Sequence, residues 1–153
     1  MSAINLLITS LPFLLKGAVT TVWISILSIV FALVIGLLIA IVRIFRIGPL
    51  EKIAQVYVSF FRGTPLLVQL FIIYFGFASI VRFTPFQSIV IGLSLHFGAY
   101  ISESFRAAIL SISAGQWEAA SSLGISRVAA FRDIIFPQAL PRAIPTVWNW
   151  LLT

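Results

Sequence analysis

Three stretches without a charged side chain, residues 17–42, 63–81 and 83–102, set the limits on what this 153-residue chain can become. They hold 26, 19 and 20 residues, and a helix needs roughly 20 to cross a hydrocarbon core about 30 Å thick. With no water to bond to inside lipid, such segments satisfy their own amides as helices. Only 9% of the residues are charged, against about a quarter in soluble domains. The pattern predicts an all-α integral membrane protein with three full spans, near 18–42, 63–81 and 84–103. A fourth apolar run begins at Ala143 and meets the end of the sequence at Thr153. Its eleven residues cannot span, so a chain incomplete at its C-terminus is expected.

The charges that remain set an orientation. A net charge of +6 would suggest nucleic acid in a soluble protein. In a membrane protein, basic residues gather in the loops on the cytoplasmic side. Arg43, Arg46, Lys52 and Arg62 flank the first loop, and Arg106, Arg127, Arg132 and Arg142 lie in the third, about 106–142. The second connection has Arg82 alone and the N-terminal tail Lys16 alone. The first and third loops are therefore placed inside, with the N-terminus outside, lipid as a partner and no nucleic acid. Residues 3–15, interrupted by Pro12 and preceded by no basic residue, read as an interfacial helix on the outer surface rather than a cleaved leader. The sequence has no Cys and a single His, so no metal site is expected.

Within the first span, Ser25, Ser28, Ala32, Gly36 and Ala40 keep small side chains on one helical face. In lipid, close backbone contact supplies the packing energy, so this stripe predicts a neighbouring helix, most simply in the same chain. The second span opens Arg62-Gly63-Thr64-Pro65-Leu66-Leu67-Val68-Gln69. Pro65 either breaks a helix inside the bilayer, freeing a carbonyl that protein or water must satisfy, or starts one as a first-turn proline. Thr64 and Gln69 are candidates to line a substrate pathway. In the third span, Glu103 joins them as a candidate, with an (i, i+3) ion pair to Arg106 as its simpler role. His96 lacks ligand partners and reads as a neutral packing residue.

The third loop opens with Gly115-Gln116-Trp117-Glu118-Ala119-Ala120-Ser121-Ser122-Leu123-Gly124. Two glycines bracket a short helix that small residues flatten on one side, while Trp117 and Leu123 provide apolar anchors. Past it, Val128, Phe131 and Ile135 share one helical face, with Arg127 and Asp133 outside that stripe. Pro137, Pro141 and Pro145 then recur every fourth residue, so a bend rather than a straight helix is expected.

Together these residues resemble the membrane subunits of binding-protein-dependent ABC importers, specifically the polar amino-acid (histidine and glutamine) permeases. The family's loop motif stands here as Glu118-Ala119-Ala120, three residues and Gly124, followed by Phe136-Pro137. Arg62 to Gln69, the Tyr100, Glu103, Arg106 segment and Asn149 after Pro145 also match. Two features depart from the pattern: Pro141 stands where a basic residue is common, and the family usually has five spans. The resemblance implies a type I ABC importer transmembrane domain over 1–153, in a bacterial cytoplasmic membrane with the coupling loop inside. It implies polar amino-acid import coupled through Gly115, Trp117, Glu118, Ala119, Ala120, Leu123 and Gly124 to ATP-binding cassette ATPase subunits. A second permease copy or paralogue and a substrate-binding protein are the other implied partners. ATP and Mg belong to the ATPase, since this chain carries no P-loop pattern and needs no cofactor of its own.

Other classes fit less well. A gradient-driven secondary transporter predicts charges in mid-span and an inverted repeat, neither of which the sequence shows. An intramembrane hydrolase needs a nucleophile and a base within reach, whereas the sequence has one His, no Cys and no paired carboxylates in the spans. A non-transporting fragment of a permease remains the alternative if the chain is truncated.

Overall fold

The computed structural model describes the backbone of residues 3–152 and the side chains of 9–150. Helix α1 spans Ala3–Phe45, α2 Gly48–Gly63 and α3 Leu66–Phe71, which continues as a π-helical turn, Ile72–Gly76. Helix α4 spans Pro85–Leu110 and α5 Ala114–Ser122. Helix α6, Arg127–Ala130, runs through a second π-helical turn, Phe131–Ile135, into α7, Phe136–Leu152. The described residues are all helix and connection.

Helix α4 is the hub, and its most extensive partner is α1. The two run parallel: Ser28 meets Ser94, Gly36 meets Gly98 and Ile101, and Arg43 meets Glu103. The small stripe makes this approach possible. Ser28, Ala32, Gly36 and Ala40 are buried, whereas Ser25 at the head of the stripe is exposed. A Cβ added at Gly36 would lie 2.7 Å from Ile101 Cγ2 and 3.1 Å from the Gly98 carbonyl oxygen. The opposite face of α1, with Val19, Val22, Trp23, Val30 and Val34, is about half exposed, as expected of a surface whose solvent is lipid.

Two expectations about the elements are corrected. Residues 3–15 do not form a separate helix, because α1 continues through Pro12 without interruption. One proline removes a single rung, and the leucines on both sides are strong helix formers. The side chains of residues 3–8 lie outside the described residues. Next, the basic first loop is itself a helix, α2, which buries Ala54 and Val58 and sends the Tyr57 hydroxyl to the Leu95 carbonyl at 2.6 Å. The span expected at 63–81 is correspondingly shorter: α3 and its π turn end at Gly76, and they meet α2 at 111°.

By length and composition, one helix among the described residues can cross a membrane alone, over Thr9–Phe45, and the bent pair α2–α3 passes the same test when taken together. Helix α4 has the length, but Gln87, Ser88, Ser94, His96 and Ser102 dilute its apolar character. Length and composition alone thus single out one straight helix and one broken pair among the described residues, fewer than the three full spans expected. Helix α3 runs antiparallel to α4. Glu51 shares a cavity with Ile109, Tyr57 bonds Leu95, Gln69 bonds His96, and Leu70 packs at Gly92.

The prolines lie inside a continuous helix. Helix α7 passes through Pro141 and Pro145 as a helix of 17 residues. Phe131, Ile135, Ala139, Ala143 and Val147 form a buried stripe, while Pro137, Pro141 and Pro145 are exposed on the other side. The carbonyls of Pro137 and Pro141, which lose their donors four residues on, therefore open to the surroundings rather than the core. Burial of the apolar stripe against α1 and α4 outweighs the missing rungs.

Candidate functional site

Helices α1 and α4 end together, and the chain turns from α4 into α5 at that same end. Ser113 caps α5 by accepting the Gly115 amide at 3.3 Å, a contact worth about 1 kcal/mol. Gly115 therefore sits inside the first turn rather than at a left-handed bracket. At the other end Gly124 has φ +72°. Its amide donates to the Ser121 carbonyl and the Ile125 amide to the Ala120 carbonyl, both at 3.0 Å. That double closure satisfies helix-end acceptors and calls for glycine.

The faces of α5 separate by role. Ala120 is buried, and Trp117 is half-buried against the core. The Arg127 guanidinium lies 5.8 Å from the Trp117 ring centroid and 5.7 Å from that of Phe45. This sandwich ties α5 to the last residue of α1, and such contacts contribute about 0.5–2 kcal/mol. Glu118, Ala119 and Leu123 are exposed, Leu123 at 78%. Of the two apolar anchors read from the sequence, Trp117 points into the bundle and Leu123 points away from it. Val128 also departs from its expected face, since it is 67% exposed while Phe131 and Ile135 are buried.

A level higher, Glu103 gathers three arginines from three helices. Arg43 of α1 donates to Oε1, Arg106 of α4 lies 3.1 Å from Oε2, and Arg62 of α2 lies 3.9 Å from Oε1. The Arg106 pair is the one that spacing suggested. Arg43 and Arg62 lie 60 and 41 positions earlier in the sequence, and no local pattern could have supplied them. Arg62 also rests over the Tyr100 ring at 5.4 Å, and Tyr100 packs on Trp150, whose indole N–H reaches Ser104 Oγ at 3.2 Å.

Between α2 and α3 lies the second polar knot. Pro65 stands just before Leu66, after a break, so the carbonyl of Phe61 four residues back loses its donor. Gln69 Nε2 lies 3.0 Å from that oxygen, 3.0 Å from the Thr64 carbonyl and 2.7 Å from Thr64 Oγ1. With two N–H bonds and three acceptors in reach, the donors are shared. Gln69 Oε1 can only accept, so His96 Nδ1, 3.0 Å away, carries the proton. Gln69 is 2% exposed. It is thus the fastener of the break, and Thr64 is its partner.

The end of the bundle that carries α5 also carries Arg43, Arg46, Arg106, Arg127, Arg132 and Arg142. Two acids nearby are partnered there: Glu103 as described, and Asp133, whose carboxyl the bonded Arg132 guanidinium holds below the ordinary carboxylate range.

Comparison with known proteins gives this arrangement a family. Residues 32–150 match the model of the binding-protein-dependent transport system inner membrane component. The chain is 43% identical over 152 residues to the "Probable amino-acid ABC transporter permease protein PatM" of Vibrio harveyi, covering 97% of this chain and 68% of that one. It is 46% identical over 149 residues to YckA of Bacillus subtilis, described in the same words, with 97% and 66% covered. The L-cystine transport system permease protein TcyB of Bacillus subtilis is 43% identical over 143 residues, with 93% and 61% covered. The chain thus spans about two thirds of the length of these relatives. A crystal structure of an amino acid ABC transporter with histidines superposes with a TM-score of 0.85 and 32% identity, over 99% of this chain and 71% of that one. The chain therefore belongs to the binding-protein-dependent transport system inner membrane component family, as a non-catalytic permease of the amino-acid ABC transporter type.

Proposed function

We propose that this chain is the translocation subunit of an ATP-driven importer of polar amino acids, with α5 as the wedge that engages a separate ATPase. One observation carries this reading. Helix α5 is capped at both ends and anchored through Ala120 and the Trp117–Arg127–Phe45 stack, yet turns Glu118, Ala119 and Leu123 outward. A helix fixed so firmly to α1, with an outward face of small residues and one acid, suits a soluble partner that pushes on it. The small residues would allow close approach, and Glu118 would meet basic or amide groups.

The same reading sets the topology. The basic end faces the cytoplasm, in keeping with the distribution of Lys and Arg. Helices α1 and α4 cross toward it, the broken pair α2–α3 returns between them as a single bent span, and α7 begins the next crossing. A second permease would complete the path, and a binding protein would deliver the substrate outside. Thr64, Gln69 and Glu103 lie beside the break and at the arginine cluster, where a change in the α2–α3 angle would be felt first. Discontinuous helices at a substrate path are a recurrent transporter solution.

The test is cross-linking with the cognate ATPase. Cysteine at Ser121 or Leu123 is expected to capture the ATPase in membranes, and cysteine at Val19, on the lipid-facing side of α1, is not. Gly124→Asp is expected to leave insertion intact while uncoupling ATP hydrolysis from uptake. Failure of the α5 positions to capture the ATPase, or labelling of them from outside, would overturn the proposal.

A further inference from the structure

Two cavities share a ridge at the basic end of the bundle, and they differ sharply in character. One, about 550 Å³, is lined by Arg43, Arg46, Arg106 and Arg127, with Glu51 and Trp117. The other, about 540 Å³, is an apolar groove whose walls include Leu37, Ile41, Phe45, Ile47, Val128 and Phe131. Consecutive residues alternate between them: Ile44, Arg46 and Arg127 face the basic cavity, while Phe45, Ile47 and Val128 face the apolar groove. We infer that this paired feature is a binding site for an anionic phospholipid, its phosphate in the arginine cavity and an acyl chain in the groove.

Charge favours this occupant. The four arginines exceed the acids beside them, Glu51 in the wall and Glu103 behind Arg43 and Arg106, by two positive charges. Arg46 pairs with no acid among the described residues. It also has φ +50°, in the position after a helix end where glycine is the ordinary choice. Its backbone is held there by the Ile47 amide on the Val42 carbonyl at 3.1 Å. An arginine in a conformation that favours glycine thus lines a cavity of net positive charge. Phosphate oxygens suit guanidinium forks, and a soluble anion would leave the adjoining apolar groove open. An amphiphile fills both.

The assignment of this lipid to the inner leaflet rests on the topology proposed above; the site itself does not. The test therefore uses the full chain in detergent micelles, which have no sides. Native mass spectrometry would titrate it with dioleoyl phosphatidylglycerol, dioleoyl phosphatidylcholine and inorganic phosphate separately. Phosphatidylglycerol is expected to be retained about tenfold more tightly than phosphatidylcholine. Arg46→Gly, which suits the left-handed turn and so keeps the fold, is expected to weaken phosphatidylglycerol about fivefold, the worth of one basic residue at an anionic surface. It should leave phosphatidylcholine unchanged. Val128→Glu, at an exposed groove position, is expected to weaken both lipids, and Arg127→Gln should repeat the Arg46→Gly effect. Equal retention of the two lipids, or indifference to Arg46→Gly and Arg127→Gln, would overturn the site. Phosphate binding that depends on Arg46 and displaces the lipid, with no effect of Val128→Glu, would overturn the lipid in favour of a soluble anion. Labelling of a cysteine at Ser121 from outside would move the site to the other leaflet without abolishing it, which separates failure of the topology from failure of the site.

Discussion

Gln69 lies within 3.0 Å of the Phe61 carbonyl, the acceptor that Pro65 leaves without a partner. The same side chain holds His96 of α4, so the break between α2 and α3 is closed and fastened to the hub by one residue. Gln69→Leu is expected to leave the Phe61 and Thr64 carbonyls and His96 short of partners at once. An interhelical hydrogen bond in lipid averages only about 0.6 kcal/mol, but stranding several buried groups together costs about 2–3 kcal/mol. Denaturation by SDS titration, following helicity, would measure it. A loss below about 0.5 kcal/mol would show that the fastening is unimportant.

Glu103→Gln removes the charge that holds Arg43, Arg62 and Arg106 together. The cluster is half-buried, with Glu103's side chain 22% and Arg43's 16% exposed, so solvent screening reduces the effect below that of a fully buried pair. A loss of about 1–3 kcal/mol is expected. Combining it with Arg43→Met should recover part of the loss, and a double-mutant cycle reads this directly. Strict additivity would show that the two residues act independently.

Gly36→Val would force α1 and α4 apart, because its Cβ alone would meet Ile101 Cγ2 closer than real contacts allow and crowd the Gly98 carbonyl. Overpacking of this kind costs about 1–3 kcal/mol. The equivalent change at Gly17, where nothing lies within 4 Å of an added Cβ, is the matched control. It should leave the midpoint of unfolding unchanged.

At Gly124 the obstacle is conformation alone, since a Cβ there meets nothing within 4 Å. Gly124→Ala is expected to cost about 1 kcal/mol through φ +72°. Gly124→Asn, which tolerates this region, should cost less. Equal effects in thermal unfolding would point to something other than the backbone.

Where the sequence was readable, the information was local or periodic. The stripe from Ser28 to Ala40 foretold a close helix neighbour because small residues at helical spacing have few other uses in lipid. Gly124 foretold its turn because only a left-handed residue closes a helix in that way. Glu103 and Arg106 foretold their pair by spacing alone. The remainder depended on elements far apart in the chain. Nothing in the sequence around Arg43 shows that it ends beside Glu103, and the charges of residues 43–62 hid a helix that buries only Ala54 and Val58. The second span was misread in form because absence of charge measures solubility in lipid and not straightness, and Pro65 divides one crossing into two helices at 111°. Pro141 and Pro145 stand inside one continuous helix, which spacing alone did not show.

The placement of those prolines has a mechanical consequence. Missing rungs along one side of a rod make that side easier to stretch, and in α7 the weakened side is turned outward at Pro137, Pro141 and Pro145 while Ala139, Ala143 and Val147 grip the core. Helix α7 is thus a leaf spring clamped on its inner edge, free to flex in one plane and stiff in the other. Under the coupling proposed for α5, a shove delivered there would be converted by such a member into curvature of fixed direction rather than diffuse loosening.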